Sequence, residues 1–205
     1  KVQTICTKVG EYDSWMSTSK IVRQGSSYKG TKILKPDELD YMPILAMLNT
    51  ENVVVEDVKE NCRLKDIGCV SIKVNNTALK DNLDDLCNHI HTPSVPYLKG
   101  GELFLSKLNE AVKRALIEID SLTYIGEHDH YDEDPSEPYP LGHISVCEVT
   151  HGPSIRLKIG TPLCTAKVDL CFSIESRDTN LGQCAMVSIE NDPISCKCGL
   201  PSHTH

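Results

Sequence analysis

Three acidic residues stand where carboxylates could do chemistry together. Glu38 and Asp40 are two apart at the head of an apolar run, E-L-D-Y-M-P-I-L, and Asp169 lies inside a second run, K-V-D-L-C-F-S-I. Residues two apart in a strand face the same side, so Glu38 and Asp40 present both carboxylates on one face. An aspartate set among apolar residues is costly unless a positive group meets it. Three carboxylates gathered at one spot repel each other and raise their pKa values unless a divalent cation sits among them. Hard oxygen ligands of this kind suit Mg²⁺ or Mn²⁺, bound by a few carboxylates together with substrate phosphates. Two such ions, on the order of 4 Å apart, could activate a ribose hydroxyl and stabilise a pyrophosphate leaving group. Upstream, the turn at Gly25-Ser26 offers backbone N–H groups and a hydroxyl to a triphosphate. Taken singly, a Gly-Ser pair is an ordinary turn and a Glu-x-Asp pair an ordinary strand edge. The order of the pieces carries the information: Gly-Ser, about a dozen residues, acid-x-acid running into an apolar strand, then a third acid central in a late strand.

The elements that must position these groups are legible as hydrophobic patterns. Apolar residues recur at Leu105, Leu108, Val112, Ala115, Leu116 and Ile119, spacings of three and four that predict a helix over 101–120. Residues 39–48 read as a buried strand in which Pro43 predicts an edge or a bulge. Strands are further expected at 53–58, 68–74, 144–149, 154–159 and 167–174. Residues 20–24 read as a short strand or helix end feeding the Gly/Ser turn. The acidic, proline-containing stretch 126–140 has no periodicity and reads as a solvated loop that takes in His128, Asp129 and His130. From Ser176 the sequence thins into turn formers and cysteines, and no internal repeat is present. Strands flanking one strong helix, with strands again after a loop, predict an α+β domain around a mixed sheet.

Composition narrows the setting. The 205 residues are 40 % hydrophobic and 24 % charged, which excludes disorder and low complexity. No stretch approaches the roughly 18 apolar residues of a spanning helix, and residues 1–19 lack the apolar middle of a signal peptide, so a soluble, cytoplasmic, non-secreted protein with no membrane partner is expected. Cys69, Cys147 and Cys171 sit inside apolar or alternating runs, where a free thiol behaves as a small core hydrophobe, so the ten cysteines predict reduced thiols in a reducing compartment. The net charge of −8 means that a polyanionic partner would need a local basic patch. Cys196, Cys198, His203 and His205 offer four zinc-type ligands, but C-x-C with H-x-H is an uncommon structural spacing and a frayed terminus explains the group as well. Cys87, His89 and His91 read as loop residues. Lys29, Lys32 and Lys35 either lend positive potential to a triphosphate or face water. Arg156 and Lys158 alternate along a strand, so both line the cleft or neither does.

The stretch G-S-S-Y-K-G-T-K-I-L-K-P-D-E-L-D-Y-M-P-I-L resembles the signature of the Mab-21-type nucleotidyltransferases, which include cyclic GMP-AMP synthase and the invertebrate cyclic GMP-AMP synthase-like receptors. The later G-P-S-I-R-L-K-I, followed by K-V-D-L-C-F-S-I-E, is similar to the segment that brings in that family's third metal-binding acid. The resemblance runs from about residue 20 to residue 175. It implies a nucleotidyltransferase fold with a twisted mixed sheet and flanking helices, in which Gly25 and Ser26 contact nucleotide phosphates and Glu38, Asp40 and Asp169 hold catalytic Mg²⁺ or Mn²⁺. It further implies an innate immune sensor that joins nucleotides, ATP or GTP, into a cyclic dinucleotide once double-stranded RNA or DNA activates it. The corresponding layout is a lead-in at 1–24, a core at 25–175 and a Cys/His-containing tail at 176–205. Family members continue past the third acid into a helical lobe, whereas this chain runs about thirty-five residues beyond Asp169. The lobe is therefore expected to be missing, activity to be weak, and the uncovered apolar surface to favour a homo-oligomer. The alternative is a catalytically silent nucleotide-binding or protein-interaction module on the same fold.

Overall fold

The computed structural model describes residues 1–25, 28, 38–57, 70–83, 87–88, 97–98, 102–129, 139–149, 152–162, 164–178 and 183–188. In chain order these form helix α1 (Val2–Tyr12), a 3₁₀ turn (Ser14–Met16), strands β1 (Thr18–Gln24), β2 (Glu38–Leu45), β3 (Val53–Asp57) and β4 (Val70–Val74), and helix α2 (Thr77–Asn82). The two-residue strands β5 (Cys87–Asn88) and β6 (Tyr97–Leu98) follow, then helix α3 (Glu102–Glu118). The second half supplies β7 (Thr123–His128), β8 (His143–Cys147), β9 (Ile155–Gly160), β10 (Thr165–Leu170), β11 (Ser173–Asp178) and β12 (Gln183–Ser188). An eight-stranded sheet has the order β12-β11-β2-β10-β9-β8-β7, with β1 paired to β2, and a smaller sheet runs β3-β4-β6-β5. The large sheet is mixed: β2 is parallel to β10 and β11 and β7 is parallel to β8, while β1–β2, β8–β9, β9–β10 and β11–β12 are antiparallel. This is the expected α+β architecture.

Strand alternation divides the large sheet into two chemically distinct faces. Leu39 and Tyr41 on β2, Ile144 and Val146 on β8, Ile155, Leu157 and Ile159 on β9, and Val168 and Leu170 on β10 join one apolar cluster. Ile5 and Val9 of α1 and Phe104, Leu105, Leu108, Val112, Ala115 and Leu116 of α3 belong to the same cluster, so the two helices cover this face. Trp15, held in its turn by Asp13, whose carboxylate accepts the Trp15 backbone N–H at 3.3 Å, packs against Phe104 in a tilted contact with ring centroids 4.6 Å apart. The intervening residues Glu38, Asp40, Ser145, Arg156, Lys158, Lys167 and Asp169 must then look out from the opposite face.

Several sequence expectations need correction. Pro43 does not mark an edge, because β2 lies between β1 and the β10/β11 side, but the β1–β2 register does shift close to it, between Thr18 and Lys20 opposite Leu45 and Ile44. The β10 register covers Glu38 to Tyr41 and the β11 register begins at Ile44, so Pro43 falls where one parallel neighbour hands over to the next and its missing N–H costs no bond on that side. The run 167–174 is likewise two strands: the chain breaks at Cys171 and Phe172, where the Cys171 N–H donates to the Tyr41 carbonyl, before β11 resumes beside β2. Residues 126–128 belong to β7 rather than to a loop, and the half-buried His128 shares a 2.8 Å hydrogen bond between its Nδ1 and Ser145 Oγ. Beyond Ser176, β11 continues and pairs with β12 as a hairpin. Among the described side chains Cys6, Cys147, Cys164 and Cys171 are free thiols. Ser26, Lys29, Lys32, Lys35, His89, His91, His130, Cys196, Cys198, His203 and His205 lie outside the described residues. No described helix is long and apolar enough to cross a membrane.

Candidate functional site

β2 and β10 run side by side with Asp40 opposite Asp169 and Glu38 opposite Lys167. Parallel pairing keeps facing residues on the same side of the sheet, so the two aspartates become lateral neighbours and Glu38 sits one pleat away. One carboxylate oxygen from each of Glu38, Asp40 and Asp169 lies within 4.8 Å of the others. Opposite ligands on one hard cation stand about 4–5 Å apart, given metal–oxygen distances of roughly 2.0–2.6 Å, so a single ion fits between the three groups. Their exposure is graded: the Glu38 side chain is 47 % exposed and forms an outer lip, whereas the Asp169 side chain is 12 % exposed and forms the floor.

The floor is held from the other side by Arg156. β9 places Arg156 directly across from Asp169. The guanidinium donates from Nε to Asp169 Oδ1 and from Nη2 to Oδ2, both at 2.8 Å, and Nη2 also reaches Glu38 Oε1 at 3.5 Å. Hydrogen bonding to Asp169, the larger influence, raises the Arg156 pKa further above its ordinary range against the opposing effect of burial. The positive group that an aspartate in an apolar run requires is therefore Arg156. Strand alternation had put Arg156 and Lys158 on one face, but only cross-strand register could assign the arginine its partner. Lys158 instead stands over the Tyr139 ring, 5.2 Å from its centroid.

Gly25 completes the opposite wall. It ends β1, where Gln24 pairs with Asp40, and turns at φ +82°. A Cβ at this position would land 1.8 Å from Asp40 Oδ2, so glycine is required both for the turn and for the close approach of the backbone to that carboxylate. Just beyond the turn, Tyr28 donates its hydroxyl to Tyr41 Oη at 2.7 Å, with Arg23 5.6 Å from the Tyr28 ring centroid. Burial first, and the Tyr41 bond second, push the Tyr28 phenol up to about 12, so it is a neutral donor at physiological pH.

The arrangement brings Gly25, Glu38, Asp40 and Asp169 to one spot and adds Arg156 to them. A family model described as the Mab-21 protein nucleotidyltransferase domain matches residues 27–190, a span that contains all three acids and Arg156. No curated protein matches the chain.

Proposed function

Because the chain belongs to the Mab-21 nucleotidyltransferase family, we propose that it converts ATP or GTP into a cyclic dinucleotide by divalent-metal-dependent nucleotidyl transfer, as a cytoplasmic sensor of double-stranded RNA or DNA. The observation that carries this reading is the convergence of the Glu38, Asp40 and Asp169 oxygens within 4.8 Å on the polar face of the sheet. These residues would hold Mg²⁺ or Mn²⁺, which when bound supplies Lewis acidity toward phosphate oxygens and the attacking hydroxyl. Glu38, exposed at the lip, would orient a ribose hydroxyl at the mouth of the site, and Asp169 would anchor the metal at the floor. Gly25 keeps the approach to Asp40 free of side-chain bulk, and with Ser26 it would present N–H and hydroxyl donors to a triphosphate. Lys158 and Lys167 face each other across β9 and β10, in the same cross-strand row as Glu38, and add positive potential on the same face. With a net charge of −8, recognition of a nucleic-acid activator would fall to a local basic surface, and self-association would supply cover for apolar surface outside the core.

The clamp of Arg156 on Asp169 is the one observation that favours the second reading, a silent nucleotide-binding module. Incubation with ATP, GTP, Mn²⁺ and long double-stranded RNA or DNA separates the two. Product that disappears in Asp169→Asn supports the transferase, and nucleotide binding without product under every condition supports the module.

A further inference from the structure

The chemistry above makes no use of Arg156, yet its guanidinium grips Asp169 with two bonds of 2.8 Å and reaches Glu38 at 3.5 Å. The Arg156 and Asp169 side chains are only 10 % and 12 % exposed, so the pair is not an ordinary surface contact that solvent screens away. Its place is fixed by the fold: Ile155 and Leu157, on either side of Arg156, are buried in the core and lock the β9 register against Asp169. A planar guanidinium fork on a carboxylate covers the edge through which both oxygens would chelate a cation.

We propose that Arg156 sets the affinity of the acidic triad for divalent metal, because the guanidinium and the ion claim the same Asp169 carboxylate. This rests on the reading of the triad as a metal site. Arg156 returns one of the three negative charges that Glu38, Asp40 and Asp169 bring together, which keeps the cluster from repelling itself apart. The same positive charge opposes a second cation at close range beside the nearly buried Asp169 carboxylate. Uptake of the ion therefore works against the clamp, and the clamp must loosen or turn aside. Triphosphate oxygens attract both cations and relieve that opposition, so metal binding should be weak for the chain alone and stronger when nucleotide is present.

The test is Mn²⁺ binding, read from the electron paramagnetic resonance signal of the free ion, in the wild type, Arg156→Gln and Arg156→Lys, with Asp40→Asn marking the triad. The neutral glutamine should tighten binding at least about tenfold, and lysine, which keeps the charge, should stay within about threefold of the wild type. A second measurement needs no variant at this position in the folded sample: the Arg156 Nε–H proton resonance of the wild type should move and exchange faster with water at saturating Mg²⁺ than in chelator. If the glutamine variant does not fold, this resonance decides alone. Unchanged or weaker Mn²⁺ binding in folded Arg156→Gln, or an Nε–H resonance indifferent to Mg²⁺ that does bind, overturns the proposal and leaves the metal site standing. A wild type that takes up no Mn²⁺ sensitive to Asp40→Asn overturns the metal reading itself and this inference with it.

Discussion

Gly25 is where the smallest change should do the most damage. Alanine there must relax a backbone at φ +82° and clear a Cβ built 1.8 Å from Asp40 Oδ2, which should cost about 1–3 kcal/mol in urea unfolding and turn the Asp40 carboxylate away from its partners. Asp169 and Glu38 should behave oppositely to each other in stability. Asp169→Asn strips a nearly buried guanidinium of its charged partner and should cost about 3 kcal/mol in chelator, whereas Glu38→Gln, on the exposed lip, should stay within about 0.5 kcal/mol. Both substitutions should abolish transfer, so unfolding and activity measured side by side distinguish a structural from a chemical role. Cys6 sets a pH limit: burial pushes its thiol from 9.0 up to about 12. The folded state thus holds its proton more tightly than the unfolded state, a contribution fully present below pH 9 and lost as pH rises toward 12. Cys6 should resist alkylation at pH 8 until the protein is unfolded, and native labelling of Cys6 would contradict its burial. The candidate acids were legible at this scale because carboxylates in strand period and in an apolar run are conspicuous. The pairing of Arg156 with Asp169 and the contact of Gly25 with Asp40 were not, because both depend on which strand lies beside which.

Among the elements, α3 was legible from periodicity alone, and its buried stripe is where the helical layer should be most sensitive. Phe104→Ala removes a fully buried ring packed against Trp15 and should destabilise by roughly 3–5 kcal/mol, read from denaturant midpoints. α1 carries apolar residues at Val2, Ile5, Cys6 and Val9, a helical spacing masked by the β-branched and polar residues between them. Its position is settled by α3: Lys8 pairs with Glu118 at 3.2 Å and Arg114 lies 4.2 Å from the Tyr12 ring centroid. The Lys8–Glu118 pair lies at the surface, so replacing Glu118 should change stability little. Pro43 and the break at Cys171 misled a local reading for one reason. β2 changes parallel neighbours between Tyr41 and Ile44, and neither run of residues records a handover between two other strands.

Across the whole molecule, the α+β class, the mixed sheet and the β3–β4 half of the small sheet followed from helix and strand patterns, while the other half of the small sheet did not. β5 and β6 are two residues each, too short for any periodicity, and β12 lies in a stretch rich in turn formers. What the whole fold accomplishes is a separation of faces: one side of a single sheet is buried under α1 and α3, and the other gathers three acids, an arginine and two lysines from strands far apart in sequence. The family assignment and this polar face together make nucleotidyl transfer the central claim. The most direct measurement is chromatography with mass spectrometry of the products formed from ATP and GTP with Mn²⁺ and long double-stranded RNA or DNA. The expected product is a cyclic dinucleotide that vanishes with chelator and in Asp169→Asn. Absence of any nucleotidyl product across these conditions, or a product that persists in Asp169→Asn, would contradict that claim.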